Sequence, residues 1–481
     1  MSSYKGHPRT EIHRVNLENR SIDVNVISGD LGEINIGDIA IDKVEISGGT
    51  YLTRPAEISG NVNVSLADKS VEISGETNVN LTSYNDDAFG RLRVSEPYTL
   101  FDFTSVFGKN PLDFDEEISG SATSVHNEGS YILMDVNASD GARVVRQTRE
   151  YIPYQPGKSK LTYLTGVLTN NITANFTSRI GNFDNSSGNF LEYSNGTISI
   201  VERDNGNEIR VSRSNWIDPL DGTGSSGINI DFTKAQIFWF DQEWLGVGRV
   251  RAGIIINGKY YQCAHFNHNG SSAVLKPYYR LAKLPIRYEI QSHGDSGTMR
   301  MICGSVLSEG GFNNLGTEFA TKEFTFRSID QNNDGLKPII SLRLRDISGT
   351  EPHLYTTIKL KSLDLLNIEK TNVLGWKILW NPTLTLVNGS FTEYNPSYSS
   401  ALICNHGTND TVNGGVVVGS GFTNQQLNFF LNLTPDKLIS SLGIGRSISG
   451  VSDTITIACQ ALTGGNTDID FYASLSWVEI H

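Results

Sequence analysis

Asn-Gly dipeptides begin at Asn195, Asn205, Asn257, Asn269, Asn388 and Asn413, set among short apolar runs rich in β-branched and aromatic residues. Both residues tolerate the positive φ that a two-residue type I′ hairpin turn requires, and that turn's twist matches the strands it joins. A chain punctuated in this way is expected to be all-β, and its 47 glycines in 481 residues supply further turns. One helix is expected, short and peripheral, over residues 434–442, where Thr434, Pro435 and Asp436 make a start signal.

Between Ser21 and about Leu81 the apolar residues come in alternating pairs or triplets: Ile22/Val24/Val26, Ile34/Ile36, Ile39/Ile41, Val44/Ile46, Val62/Val64/Leu66, Val71/Ile73 and Val79/Leu81. Each marks a strand of a few residues with one apolar face, and an Ile-Ser-Gly signature recurs at Ile27, Ile46, Ile58 and Ile73. Burying two or three aliphatic side chains yields about 1.5–3 kcal/mol apiece, while ordering the backbone costs roughly 1–2 kcal/mol per residue. One copy cannot balance that, and stacked copies from several chains are expected to supply the second face. The segmentation that follows is a tail or anchor over 1–20, a β-repeat shaft over 21–85, a connector over 86–120, and β-sandwich or jelly-roll domains over 121–310 and 311–481. The shaft is expected to be an intertwined, β-prism-like stalk in a homotrimer. A flexible Gly/Ser/Asn linker is the alternative, which strict alternation opposes.

Acidic residues outnumber basic ones 52 to 39, the net charge is −13, and no Lys/Arg-rich run interrupts this balance, so a nucleic-acid partner is not expected. The longest aliphatic clusters, such as Ile254 to Ile256, fall far short of the roughly 18 residues of a membrane span, and the N-terminal MSSYKGHPRTEIHRVN has no apolar signal core. Membrane insertion is not expected either, and the N-x-[ST] triplets at Asn171, Asn175 and Asn195 read as turn chemistry. Cys263, Cys303, Cys404 and Cys459 lack CxxC or metal-type spacing and read as buried small apolar residues, with no cofactor implied.

Three segments, DAFGRLRVSEPYTLFD from Asp87, RQTREYIPYQPGKS from Arg146, and LDGTGSSGINIDFTKAQIFWFDQEWLGVGRVRAGIIINGKYY from Leu220, resemble a family encoded by tailed phages and some large DNA viruses. Its members are virion-associated tail, fibre or head-decoration proteins. The resemblance covers mainly residues 86–310, with a weaker echo in the closing SLSWVEI. It implies a virion component and carries over no catalytic residue. Within WLGVGRVRAG, the glycines at 246, 248 and 253 suit bulges or close backbone approach.

Several constellations invite chemistry. GDSG at 294–297 matches the surroundings of a serine-protease nucleophile, but His265 lies too near in sequence to leave room for the intervening barrel strands, so a hairpin turn is expected. Asp241 and Glu243 in FWFDQEW would share one face of a strand, about 6–7 Å apart along the backbone. That separation approaches the range of glycosidase acid pairs, and Trp239 and Trp244 could form a sugar platform. The competing readings are a solvent-facing edge or ion pairs with Arg249 and Arg251. Asp330, Asn332, Asp334 and Gly335 match the first half of a calcium loop, but Ser341 stands where the closing Glu belongs, so a polar turn competes with a metal site. His265 and His268 are three apart, in a hairpin setting that does not suit metal ligation.

The expected function is architectural and non-enzymatic. The chain would be a trimeric tail, fibre or head-decoration subunit of a virion, bound to other virion proteins through its N-terminal region. A lectin-like module that binds host surface glycan is the first alternative, and a polysaccharide-degrading spike the second.

Overall fold

The computed structural model describes residues 11–16, 21–25, 87, 88, 90, 91, 93 and 96–480, apart from 313–315, 323, 331–334, 346–354, 369–371, 425, 431–442 and 464–467. The chain divides into two units, Met1–Asn78 and Val79–His481. In the first, Glu11–Asn16 pairs antiparallel with Ser21–Asn25, with a register shift between Ile12 and Arg14. A strand therefore lies inside the stretch expected to be an unpatterned tail. The Ile-Ser-Gly repeats and the helix expected over 434–442 fall outside the described residues.

The second unit is all-β and holds two sandwiches. In the first, a seven-stranded antiparallel sheet runs Asn207–Ser212, Thr197–Asp204, Gly188–Ser194, Phe176–Phe183, Ile286–Ser292, Arg143–Thr148, Phe114–Ser119. Its partner runs Lys259–Asn267, Arg249–Ile256, Gln236–Gln242, Lys160–Val167, Gly297–Ser308, Tyr131–Val136, Ala122–Asn127, with Tyr98–Thr104 also paired to Gly297–Ser308. Inward residues of both sheets, among them Phe103, Phe114, Phe176, Leu164, Tyr193, Phe238, Tyr288 and Met301, form one core. Tyr98–Thr104 and Phe114–Ser119 belong to this sandwich, so it begins inside the stretch read as connector.

Three Asn-Gly pairs behave as read. Asn195, Asn205 and Asn257 have φ of 44°, 48° and 51°, each followed by a positive-φ glycine, and each closes a hairpin. Asn269 instead caps a short 3₁₀ turn from an extended conformation.

In the second sandwich, one sheet places Ile469–Ile480 between Thr357–Asn367 and the short strands Thr317–Ala320 and Thr325–Ile329, with Gln426–Phe430 and Gly443–Ile444 beyond Thr357–Asn367. The other runs Thr392–Glu393, Ala401–Asn405, Lys337–Leu344, Thr454–Thr463, Val373–Trp380, Val416–Thr423. Trp376, Trp477, Phe471, Ile340 and Ile457 lie in its core. Ile469–Ile480, which carries the closing FYASLSWVEI, is central and alternates buried residues with more open ones such as Tyr472.

The sandwiches are joined by charged groups. Arg149 reaches Asp115 at 3.1 Å and Asp453 at 2.9 Å while lying over the Trp380 ring, and Lys359 meets Glu150 at 2.8 Å. Lys283, a buried residue, donates to the Ile480 carbonyl at 2.5 Å.

Candidate functional site

Asp241 lies at the end of Gln236–Gln242, where it pairs in register with Arg251 on one side and Leu161 on the other. It is completely buried. Its Oδ2 accepts from Arg251 Nη2 at 2.7 Å and from Arg93 Nη2 at 2.6 Å, and its Oδ1 accepts from the Ser159 hydroxyl. Each donor comes from a different one of the three resembling segments. Around this point Arg249 Nε donates to the Ala88 carbonyl at 2.6 Å, Arg91 pairs with Asp87 at 2.6 Å and donates to the Gly157 carbonyl at 3.1 Å, and Arg93 also faces Glu309 at 3.4 Å. Burial pushes the Glu309 carboxyl up to about 7 against the pull of Arg93. Arg91 and Arg93 thus clip the chain to this sheet near the end of Gln236–Gln242.

This geometry corrects the sugar-platform reading at Trp239 and Asp241, which have no open face for a ligand. Trp239 is buried on the strand face opposite the core residues Phe238 and Phe240, its ring 5.8 Å from that of Tyr260, and a Cβ at Gly253 would come within 2.9 Å of it. Gly253 sits at a register shift against Lys259–Asn267, the bulge and close approach its position suggested. Glu243 falls past the strand end, half-buried, its carboxyl raised first by burial, with Arg249 opposing. Trp244 is half-buried and donates to the Tyr279 carbonyl at 3.0 Å. Of the competing readings weighed for the acid pair, the Arg251 ion pair is the one found.

Of the calcium half-loop, Asp330 follows Thr325–Ile329 and is half-buried, whereas Asn332 and Asp334 lie outside the described residues. His265 is exposed while His268 is buried, stacked on Tyr278 at 4.0 Å and 3.1 Å from Glu202. GDSG forms the corner between Ile286–Ser292 and Gly297–Ser308, strands of opposite sheets, rather than a hairpin, and Asp295 accepts from the Asn175 backbone at 2.7 Å. Cys263, Cys404 and Cys459 are buried free thiols as expected, but Cys303 is exposed.

A polar cluster that sequence spacing did not reveal lies inside the second sandwich. Ser341 Oγ is 2.7 Å from His406 Nε2, and His406 Nδ1 is 3.0 Å from Asp410 Oδ2, the order of a serine-hydrolase triad. Cys404 Sγ is 3.8 Å from the same Nδ1, so thiol, imidazole and carboxylate could in principle surround a metal. Neither chemistry fits the surroundings. Ser341, His406 and Asp410 have no exposed surface. Asp410 accepts backbone N–H groups of Val387, Asn388, Gly389 and Gly407 besides His406, which exhausts its lone pairs. Burial favours the neutral acid, but those N–H donors prevail and hold its carboxyl well below the usual range. Burial likewise lowers His406, which then donates to Asp410 through Nδ1 and accepts from Ser341 through Nε2, while burial pushes the Cys404 thiol up to about 11. The cluster fastens two loops to Lys337–Leu344, its carboxylate and imidazole committed to protein partners. Its signal was only CNHGTND, a polar run with no spacing to distinguish it from a turn.

No family model and no curated protein matches the chain. Among solved structures it is similar to a Bacillus licheniformis β-glucanase (8% identity, 44% of this chain and 98% of that one, TM-score 0.28). It is also similar to peanut lectin (12%, 44% and 98%, TM-score 0.28) and to the exoplasmic/lumenal domain of VIP36 (9%, 45% and 91%, TM-score 0.29). No activity or ligand is carried over from them.

Proposed function

We propose that this chain is a non-enzymatic structural subunit of a virus particle, a homotrimer joined through residues 21–85 and attached to other virion proteins by its N-terminal region. The observation that carries the reading is the convergence on Asp241. The three segments that resemble virion-associated tail, fibre and decoration proteins are far apart in sequence, yet each gives one donor to that buried carboxylate. The resembling residues therefore serve to fix a connector to a sandwich, which is what a particle subunit needs at the root of a projecting domain. A second charged joint, centred on Arg149, ties that sandwich to the next.

A degrading spike loses its acid pair, because Asp241 is locked among three donors. The lectin-like alternative keeps one specific support, the aromatic outer face of the second sandwich considered below.

Light scattering on the full chain tests the assembly, and antibodies against residues 121–310 applied to purified particles in the electron microscope test the location. A trimer whose sandwiches are decorated on intact particles is expected. A monomer, or label absent from every particle, overturns the proposal.

A further inference from the structure

On the sheet of the second sandwich that holds Thr325–Ile329, Thr357–Asn367 and Ile469–Ile480, alternation sends Leu363, Leu365, Phe471, Ala473 and Leu475 into the core. The intervening residues face outward. Phe326, Tyr472 and Leu366 are paired in one row across the three strands, all exposed, and the Phe326 and Tyr472 rings are 5.3 Å apart. Beside them Ser474 pairs with Asp364, and Phe324 is 76% exposed. Phe324, Asp364, Leu366, Tyr472 and Ser474 line a groove of about 430 Å³, within the size range of small-ligand sites.

The composition of this face is unusual for a sheet surface turned to water. The outer face of the seven-stranded sheet carries instead a ladder of Arg143, Glu289, Arg179, Glu192 and Arg210, each paired with the next. Asp364 differs from those carboxylates. It is half-buried and makes no hydrogen bond or ion pair with the described residues, and its carboxyl is raised by burial. An acceptor held partly away from water beside exposed aromatic rings offers an unused hydrogen-bonding site to a ligand's donors.

We propose that this groove binds a neutral oligosaccharide, a sugar ring lying on Phe324 and Tyr472 with its hydroxyls donating to Asp364. The apolar faces of a pyranose suit exposed rings, and its hydroxyls supply the missing donors without bringing a charge. An anionic saccharide would meet Asp364 and a chain of net charge −13. An alkylammonium would gain only about 0.5–1 kcal/mol from rings this open to water. The inference does not depend on the particle or the trimer, and a virion subunit that bound no sugar would leave the structural reading intact.

The test is saturation-transfer NMR and calorimetry on the full chain with cellotriose, maltotriose, chitotriose and tetramethylammonium as probes, alongside light scattering. At least one trisaccharide should bind saturably. F324A and Y472A should each weaken it tenfold or more and D364N at least threefold, while F107A, at an exposed ring of the first sandwich, should leave it unchanged. Absence of binding by all three trisaccharides, binding that ignores the groove substitutions, or preference for tetramethylammonium overturns the proposal. A fall in oligomeric state of F324A or Y472A does so too, by assigning the face to a neighbouring copy.

Discussion

The guanidinium of Arg93 lies 2.6 Å from the carboxylate of Asp241, 148 positions away in sequence, and shares it with Arg251. Breaking a buried pair by removing one partner leaves the other charge unpaired and costs roughly 3–5 kcal/mol. Asp241→Ala strands two arginines and should lose at least that much in urea denaturation, whereas Arg93→Ala, which leaves the Arg251 pair intact, should lose less.

Chain truncation separates the clip from the repeats. A fragment of residues 86–481 keeps Asp87, Arg91 and Arg93 and should be soluble, mainly monomeric and β-rich by circular dichroism. A fragment of residues 98–481 leaves Asp241 and Glu309 without Arg93 and Arg249 without the Ala88 carbonyl, and should melt several degrees lower. Equal melting temperatures would remove the clip from the account, and a trimeric shorter fragment would move the subunit contact into the sandwiches.

Two interior lysines set a pH dependence. Burial lowers both Lys160, which donates to the Ala282 carbonyl at 2.7 Å, and Lys283 to about 7. Between pH 7 and 9 the unfolded chain therefore binds more protons than the folded one, so stability rises with pH, by on the order of 1–2 kcal/mol per pH unit. Glu309, raised to about 7, opposes this only at the lower end of the window. Denaturation midpoints measured from pH 7 to 9 should climb, and Lys160→Met or Lys283→Met should flatten the climb.

The Ser341, His406 and Asp410 cluster should behave as a fastening and not as a catalyst. Asp410→Ala leaves buried N–H donors unsatisfied at about 1–3 kcal/mol each, so a loss on the order of 3 kcal/mol or more is expected in denaturation. A fluorophosphonate serine probe should leave native Ser341 unlabelled; labelling detected by peptide mass spectrometry would require an opening to this interior.

The all-β class was legible because Asn-Gly turns are local signals, and hairpins close at Asn195, Asn205 and Asn257 where those dipeptides stand. Ion pairing was legible only as an option. That Asp241 would turn inward depended on Arg93, far away in sequence, and no local pattern announces a long-range partner. The pair Asp241 and Glu243 looked like a shared face because alternation was extended past Gln242, where the strand ends. The aromatic face at Phe324 and Tyr472 was illegible for a related reason. Outward and inward aromatic residues look alike in a strand until the register of Thr325–Ile329 against Ile469–Ile480 assigns them to opposite sides.

Ile469–Ile480 is the central strand to which Thr317–Ala320, Thr325–Ile329 and Thr357–Asn367 all attach. During synthesis those strands leave the ribosome first and must wait, their edges open, until residue 480 has been added. The second sandwich is therefore completed in a single late step, while the first can close once residue 308 is out. A frameshift or premature stop between residue 308 and Ile469 would release a chain with one finished half and one adhesive half.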